Sequence, residues 1–164
     1  MKFSIIFLAL ILVVTSSCSK TDLNEDVMLE STSTALVVSD VNIDIELEIF
    51  DLVNGYRAEN GLSELSYNNQ AQSYTLDHNL YMISKDEISH DDFAQRSSEL
   101  SVEVNATRVS ENVGRSFSTA EGVFKAWLAS ASHLKNIEGD YTQTAISVST
   151  SEDGTLYFTQ VFIK

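Results

Sequence analysis

Proline is absent from the 164 residues, where average usage of about 5% would give roughly eight. The readable chain breaks therefore fall on Asn60-Gly61 and on Glu152-Asp153-Gly154. Cysteine occurs once, at Cys18, which excludes an internal disulfide framework and any multi-cysteine metal site. Basic residues are scarce, 10 against 24 acidic, for a net charge of −14 and a pI near 4.3. That balance excludes nucleic acid as a partner, because phosphate binding needs a basic face. It also excludes a polybasic membrane-surface module. No HExxH places two histidines one helical turn apart, and there is no glycine-rich phosphate loop or dinucleotide fingerprint. No GxSxG nucleophile elbow is present.

The chain has 43% hydrophobic and 9% aromatic residues, enough for a core. Its length suits one domain with a tail. The N-terminus reads as an address. Lys2 precedes a run from Phe3 to Val14 that is apolar except for Ser4, and small residues then lead to Cys18. A basic start, a short apolar run and a small-residue cleavage site describe a secretory signal over 1–17. The run is too short for a membrane span of about 20 residues. The order of these features resembles a bacterial lipoprotein signal, with Thr15 where leucine is usual. That resemblance implies a lipidated Cys18 as the first mature residue, tied to a membrane by its acyl chains. Residues 18–45 lack aromatics and are mostly acidic in charge. They are expected to form a flexible tether, with a short edge strand as an option at Val37, Val38 and Val41.

The domain is expected over 46–164. Ile45, Ile49, Leu52, Val53 and Tyr56 recur at helical spacing up to Asn60-Gly61. Ala71, Tyr74, Thr75, His78 and Met82 share one face of a second helix beginning near Asn69. Ser118 to Glu121 read as a capping box for a third helix carrying Val123, Phe124 and Trp127. Alternation over Thr144–Val148, a turn at 152–154 and the segment Leu156–Ile163 predict a hairpin. The last strand is bulky on both faces, with Tyr157, Val161 and Ile163 opposite Phe158 and Phe162. Such a strand is normally covered on both sides, so a sheet between helical layers is expected.

The three histidines differ in setting. His78 lies on the apolar face of the second helix, where a hydrogen-bonded core histidine is the expected role. His90 and His133 fall in loop or helix-start positions, where a side chain faces a cleft. Spacing alone does not bring them together.

Five internal segments, in order, resemble the CAP superfamily of cysteine-rich secretory, antigen 5 and pathogenesis-related proteins (the SCP domain). They are Leu52–Leu62 (LVNGYRAENGL), His78–Met82, Ile88–Phe93 (ISHDDF), Ser110–Val113 (SENV) and Ala126–Ile137 (AWLASASHLKNI), with Tyr157–Phe162 (YFTQVF) closing the chain. The single cysteine matches the bacterial branch without disulfides. The resemblance implies an α/β fold, a three-layer α-β-α sandwich around a mostly antiparallel sheet. It also implies a cleft lined by two histidines and usually two glutamates. His90 and His133 match the histidines, and Glu111 matches one glutamate, with Ser110 in place of a preceding glycine. The second glutamate would fall at Gly122. Glu121 is one residue off and is assigned to capping. Gln160 is expected either in the cleft or paired with a buried group.

Two imidazoles and a carboxylate are an admissible zinc set, with His90, His133 and Glu111 as ligands. Without metal, Glu111 favours a protonated histidine, and the pair suits a polar or anionic ligand. The alternative is that the three groups merely brace loops. Asn112 and Asn136 are expected to fix loop backbone. Tyr81, Phe117 and Tyr141 are candidate apolar walls. The expected function is an exported, membrane-anchored domain that binds an extracellular ligand, be it a small molecule, a lipid or a protein. The alternatives are a metal-assisted hydrolase with Glu111 as catalytic base, and an interaction module with an inert cleft.

Overall fold

The computed structural model describes residues 40–164; the leader, Cys18 and most of the tether lie outside the described residues. Helix α1 spans Asp40–Glu59, so its first turns take in residues 40–45, assigned above to the tether. Val41 is thus helical rather than part of an edge strand, while Val37 and Val38 lie outside the described residues. The early turns are held by a contact the local pattern does not show. Asn42 is buried, and its amide exchanges hydrogen bonds with the Thr150 hydroxyl, 108 residues away.

The chain continues through β1 (Ser66–Tyr67) into α2 (Gln72–Lys85). Asn68 starts α2 by accepting the Gln70 and Ala71 amides on its side-chain oxygen. Thr75, His78 and Met82 are buried on the face expected. Next come α3 (Phe93–Glu103), β2 (Val109–Arg115), α4 (Ala120–Ala129), α5 (Ala131–Ile137), β3 (Gln143–Thr150) and β4 (Leu156–Ile163). The sheet order is β1-β3-β4-β2, antiparallel except for the β1–β3 pair. The hairpin of β3 and β4 forms as expected, and Gly154 takes a φ of 87° in its turn.

Besides the two-residue β1 and the short α5, two longer elements do not show in the sequence pattern. Helix α3 buries only Leu100, so its apolar stripe is too thin to register. Strand β2 carries Ser110, Glu111, Asn112 and Gly114 within seven residues, which hides its alternation. The cap of α4 is also corrected. Thr119, not Ser118, is the N-cap, and its hydroxyl accepts the Gly122 amide at 3.1 Å. Glu121 is therefore not in the third helical position that a capping box requires.

Helical layers cover both faces of the sheet. Phe158 and Phe162 pack with Ile49 and Val53 of α1 and with Val123 and Trp127 of α4. On the other face Val161 and Ile163 meet Ala71 and Leu100, and Tyr157 meets Met82. Strand β2 is the sheet edge beside α3, α4 and α5, and the functional candidates gather there. Its exposed carbonyls are capped by side chains: Asn136 donates to Glu111 O at 3.0 Å, and Trp127 Nε1 donates to Val113 O at 2.8 Å.

Candidate functional site

Alternation along β2 points Glu111 and Asn112 to opposite faces of the sheet. Glu111 faces α2 and α3. Its side chain is 2% exposed, yet three cationic or imidazole groups surround it. The His90 Nδ1–H donates to Oε1 at 2.8 Å. Arg96 Nη2 donates to both oxygens, at 3.1 and 3.0 Å. His78 Nε2 lies 3.7 Å from Oε1 while donating to Ser89 O at 2.8 Å. Arg96 also donates to Asp91 O, which ties the His90 loop to α3. Tyr81 stacks on His78 at 6.0 Å and donates to Asp91 at 2.9 Å, bracing that loop from the other side.

Asn112 faces the opposite layer. Its amide donates to His133 O at 3.2 Å, and its carbonyl accepts from Asn136. His133 stands on the short helix α5, and its ring centroid lies 6.4 Å from that of His90. The edge strand thus joins the two histidines from opposite layers. Both asparagines hold backbone, as expected. Gln160 is not in this group. It is fully buried, and its amide donates to the Thr144 hydroxyl at 3.0 Å.

The electrostatics follow from burial and pairing. Burial works to raise the Glu111 pKa, but the His90 bond and the charges of His78 and Arg96 outweigh it and hold the carboxyl below its ordinary range. Burial lowers the pKa of His78 despite Glu111 nearby. Burial and then the charge of His90 lower that of His133. Glu111 is therefore an ionised carboxylate with every oxygen already engaged.

That engagement bears on metal binding. On one tetrahedral zinc, with Zn–N near 2.0–2.1 Å, two imidazole centroids sit about 5 Å apart. At the observed 6.4 Å the rings reach a shared zinc only along a nearly straight N–Zn–N line. Arg96 already supplies the cation at Glu111. Among the described residues no three His, Cys, Asp or Glu side chains are grouped to hold a metal ion. The zinc set of His90, His133 and Glu111 does not fit the side chains as placed.

Beside His133 a cleft of about 430 Å³ opens, lined by Ile88, Val113, Phe117, Ala126 and Trp127 and reached by Arg115. Phe117 is thus a wall, as expected. Tyr81 instead braces His78, and Tyr141 lines a separate cavity beneath Arg108. Arg96 is the site residue the sequence did not yield. Its only signal is a lone arginine among acidic neighbours, three residues past Phe93.

The family model for CAP, the cysteine-rich secretory protein family, matches residues 50–162. The chain belongs to the CAP family. Among solved structures, the CAP domain resembles an extracellular SCP-domain protein of Bacillus anthracis strain Ames, at 24% identity and a TM-score of 0.66, over 76% of this chain and 41% of that one. It resembles a cysteine-rich secretory protein of Staphylococcus aureus at 19% identity and a TM-score of 0.63, over 76% and 40%. It resembles an outer surface protein of Borrelia burgdorferi at 17% identity and a TM-score of 0.67, over 74% and 92%. The chain thus spans about two fifths of the first two proteins and most of the third. These likenesses establish the α/β sandwich. No curated protein matches the chain closely enough to add to them.

Proposed function

We propose that this CAP domain is an exported binding module, held to a membrane through acylated Cys18, that captures an extracellular ligand between His90 and His133. One observation carries the preference for binding over hydrolysis. The Glu111 carboxylate accepts from Arg96 on both oxygens and from His90 on one, and it is nearly sealed from solvent. A general base needs a lone pair within reach of the proton it takes, and Glu111 has three of its about four acceptor sites taken and a side chain only 2% exposed. What the cleft does present is the His133 imidazole, with the His90 ring centroid 6.4 Å away, beside an apolar wall, the usual make-up of a small-ligand site. Export is supported by the leader-like N-terminus and agrees with the extracellular and outer-surface proteins that share the fold.

The test uses the Cys18→Ser protein and fluorescein-labelled casein, with and without added zinc chloride. The reading predicts no cleavage above that of a His90→Ala, His133→Ala double variant. Zinc-dependent cleavage abolished by Glu111→Gln would overturn it in favour of the hydrolase. For the anchor, radioactive palmitate fed to a bacterial host is expected to label the wild type and not Cys18→Ser; equal labelling rejects acylation at Cys18.

A further inference from the structure

A second opening, of about 490 Å³, lies along the seam of α1 and α4 and shares no lining residue with the cleft beside His133. Its floor is apolar. Leu52 and Tyr56 come from one stripe of α1, and Phe124 and Leu128 from one stripe of α4, at i and i+4 in each helix. Tyr56 meets the Phe124 ring edge-on, with 6.2 Å between centroids. The rim is acidic. Glu48, Asp51 and Glu59 follow the same side of α1, and among the described residues none of them is in an ion pair. Glu121 adds a carboxylate across the seam, and desolvation and then its charge raise the pKa of Glu48. Lys125 stands one turn along α4 from Glu121 and does not line the groove.

Gly55 lies in the middle of this stripe, inside α1, where glycine is the weakest helix former apart from proline. A Cβ added there meets nothing within 4 Å, so neither close packing nor a left-handed backbone calls for glycine. What the missing side chain leaves is room in the groove that Gly55 lines. From Glu48 to Glu59 the groove follows α1 for about 16 Å, three helical turns. An apolar floor of that length between carboxylates suits an occupant with an apolar stripe and cations beside it. The chain's own net charge of −14 disfavours a second copy, and the rim repels an anionic lipid or fatty acid.

We propose that the α1–α4 groove docks a lysine- or arginine-bearing amphipathic helix of a partner protein, its apolar stripe on Leu52, Tyr56, Phe124 and Leu128 and its basic flanks against Glu48, Asp51 and Glu59. The space left at Gly55 receives a side chain of that helix. The rim charges orient the partner, and the floor supplies the apolar contact.

The experiment titrates the Cys18→Ser protein with a dansylated fourteen-residue peptide of leucine and lysine, patterned as an amphipathic helix with six lysines. Two further probes are its glutamate-for-lysine counterpart and hexalysine, which keeps the charge without the apolar stripe. The expected result is saturable one-to-one binding of the leucine–lysine peptide, with both other probes at least about tenfold weaker. Gly55→Leu is expected to fold with a Tm no lower than the parent and to weaken binding at least about tenfold by filling the groove. A Glu48→Gln, Asp51→Asn, Glu59→Gln triple variant weakens it as much. Glu64, Asp77 and Glu152 are exposed and outside the groove. A Glu64→Gln, Asp77→Asn, Glu152→Gln triple variant has the same net charge as the first and stays within about threefold of the parent. The proposal is overturned by no saturable binding, by hexalysine binding as tightly as the leucine–lysine peptide, or by equal weakening in the two triple variants. A folded Gly55→Leu protein that binds as the parent does also overturns it. If Gly55→Leu does not fold, the contrast between the two triple variants decides alone.

Discussion

Replacing Arg96 by methionine keeps the aliphatic stem and removes the cation that faces Glu111. The carboxylate then stays nearly sealed from solvent, with one hydrogen bond from His90 in place of three from two side chains. Removing one partner of a buried ion pair costs about 3–5 kcal/mol, because the other charge is left without compensation. Arg96 is 16% exposed and His90 remains, so the loss is set lower, at about 2–3 kcal/mol. Against a total stability of about 5–15 kcal/mol, that is readily measured. The Arg96→Met, Glu111→Gln double variant removes both charges and is expected to recover at least about 1 kcal/mol of the loss. The sign with pH is fixed. In the wild type the Glu111 pKa is held below its ordinary value, so its contribution is present at neutral pH and fades as pH falls through the carboxylate range. Arg96→Met removes part of that depression, so its deficit is largest at neutral pH and shrinks on acidification. Urea denaturation followed by circular dichroism at pH 7.5 and about 3.5, on the Cys18→Ser background, reads both effects. A variant within about 0.5 kcal/mol of the wild type would refute the reasoning. So would a deficit that grows as pH falls.

Other substitutions read other parts of the account. Arg57 is 2% exposed and donates to the carbonyls of Ser63, Ile137, Gly139 and Tyr141, so it ties the end of α1 to the end of α5. Arg57→Met orphans those carbonyls and is expected to cost about 3 kcal/mol or more in urea denaturation; a loss under about 1 kcal/mol contradicts the latch. Thr119→Ala is expected to cost about 1 kcal/mol while Ser118→Ala stays within about 0.5 kcal/mol, and the reverse order would restore Ser118 as the cap. His78 resists protonation when folded, so the protein is expected to lose stability as pH drops below about 6.5, where the unfolded chain takes the proton. His78→Gln should flatten that slope between pH 7.5 and 5.5 without abolishing it, since His133 shifts the same way; an unchanged slope removes His78 as its source.

The legible parts of the fold are those where side-chain period and burial agree. Ile49 and Val53 mark α1, His78 and Met82 mark α2, and the bulky two-faced β4 announces a sheet covered on both sides. The parts that stay hidden are held by distant partners. Asn42 fixes the first turns of α1 through Thr150, and the polar strand β2 exists because β4 pairs with it along seven residues. The site divides in the same way. The resemblance to CAP proteins points to His90, His133 and Glu111, and the fold brings their side chains together at one sheet edge. It does not reveal Arg96, because α3 has almost no apolar signature, nor that Gln160 turns to Thr144 inside the sheet. Those two side chains change the chemistry most, since Arg96 converts a potential base or metal ligand into a paired carboxylate.

The account stands on Glu111 being locked by Arg96 and His90, so that imidazole edges and not a carboxylate meet the ligand. A long-range ¹H–¹⁵N spectrum of the histidine-labelled protein reads this directly through the two tautomers. The account predicts the Nδ1–H form for neutral His90, lost as a preference in Glu111→Gln, and the Nε2–H form for His133. A wild-type spectrum with His90 protonated at Nε2 alone, unchanged by Glu111→Gln, would contradict it.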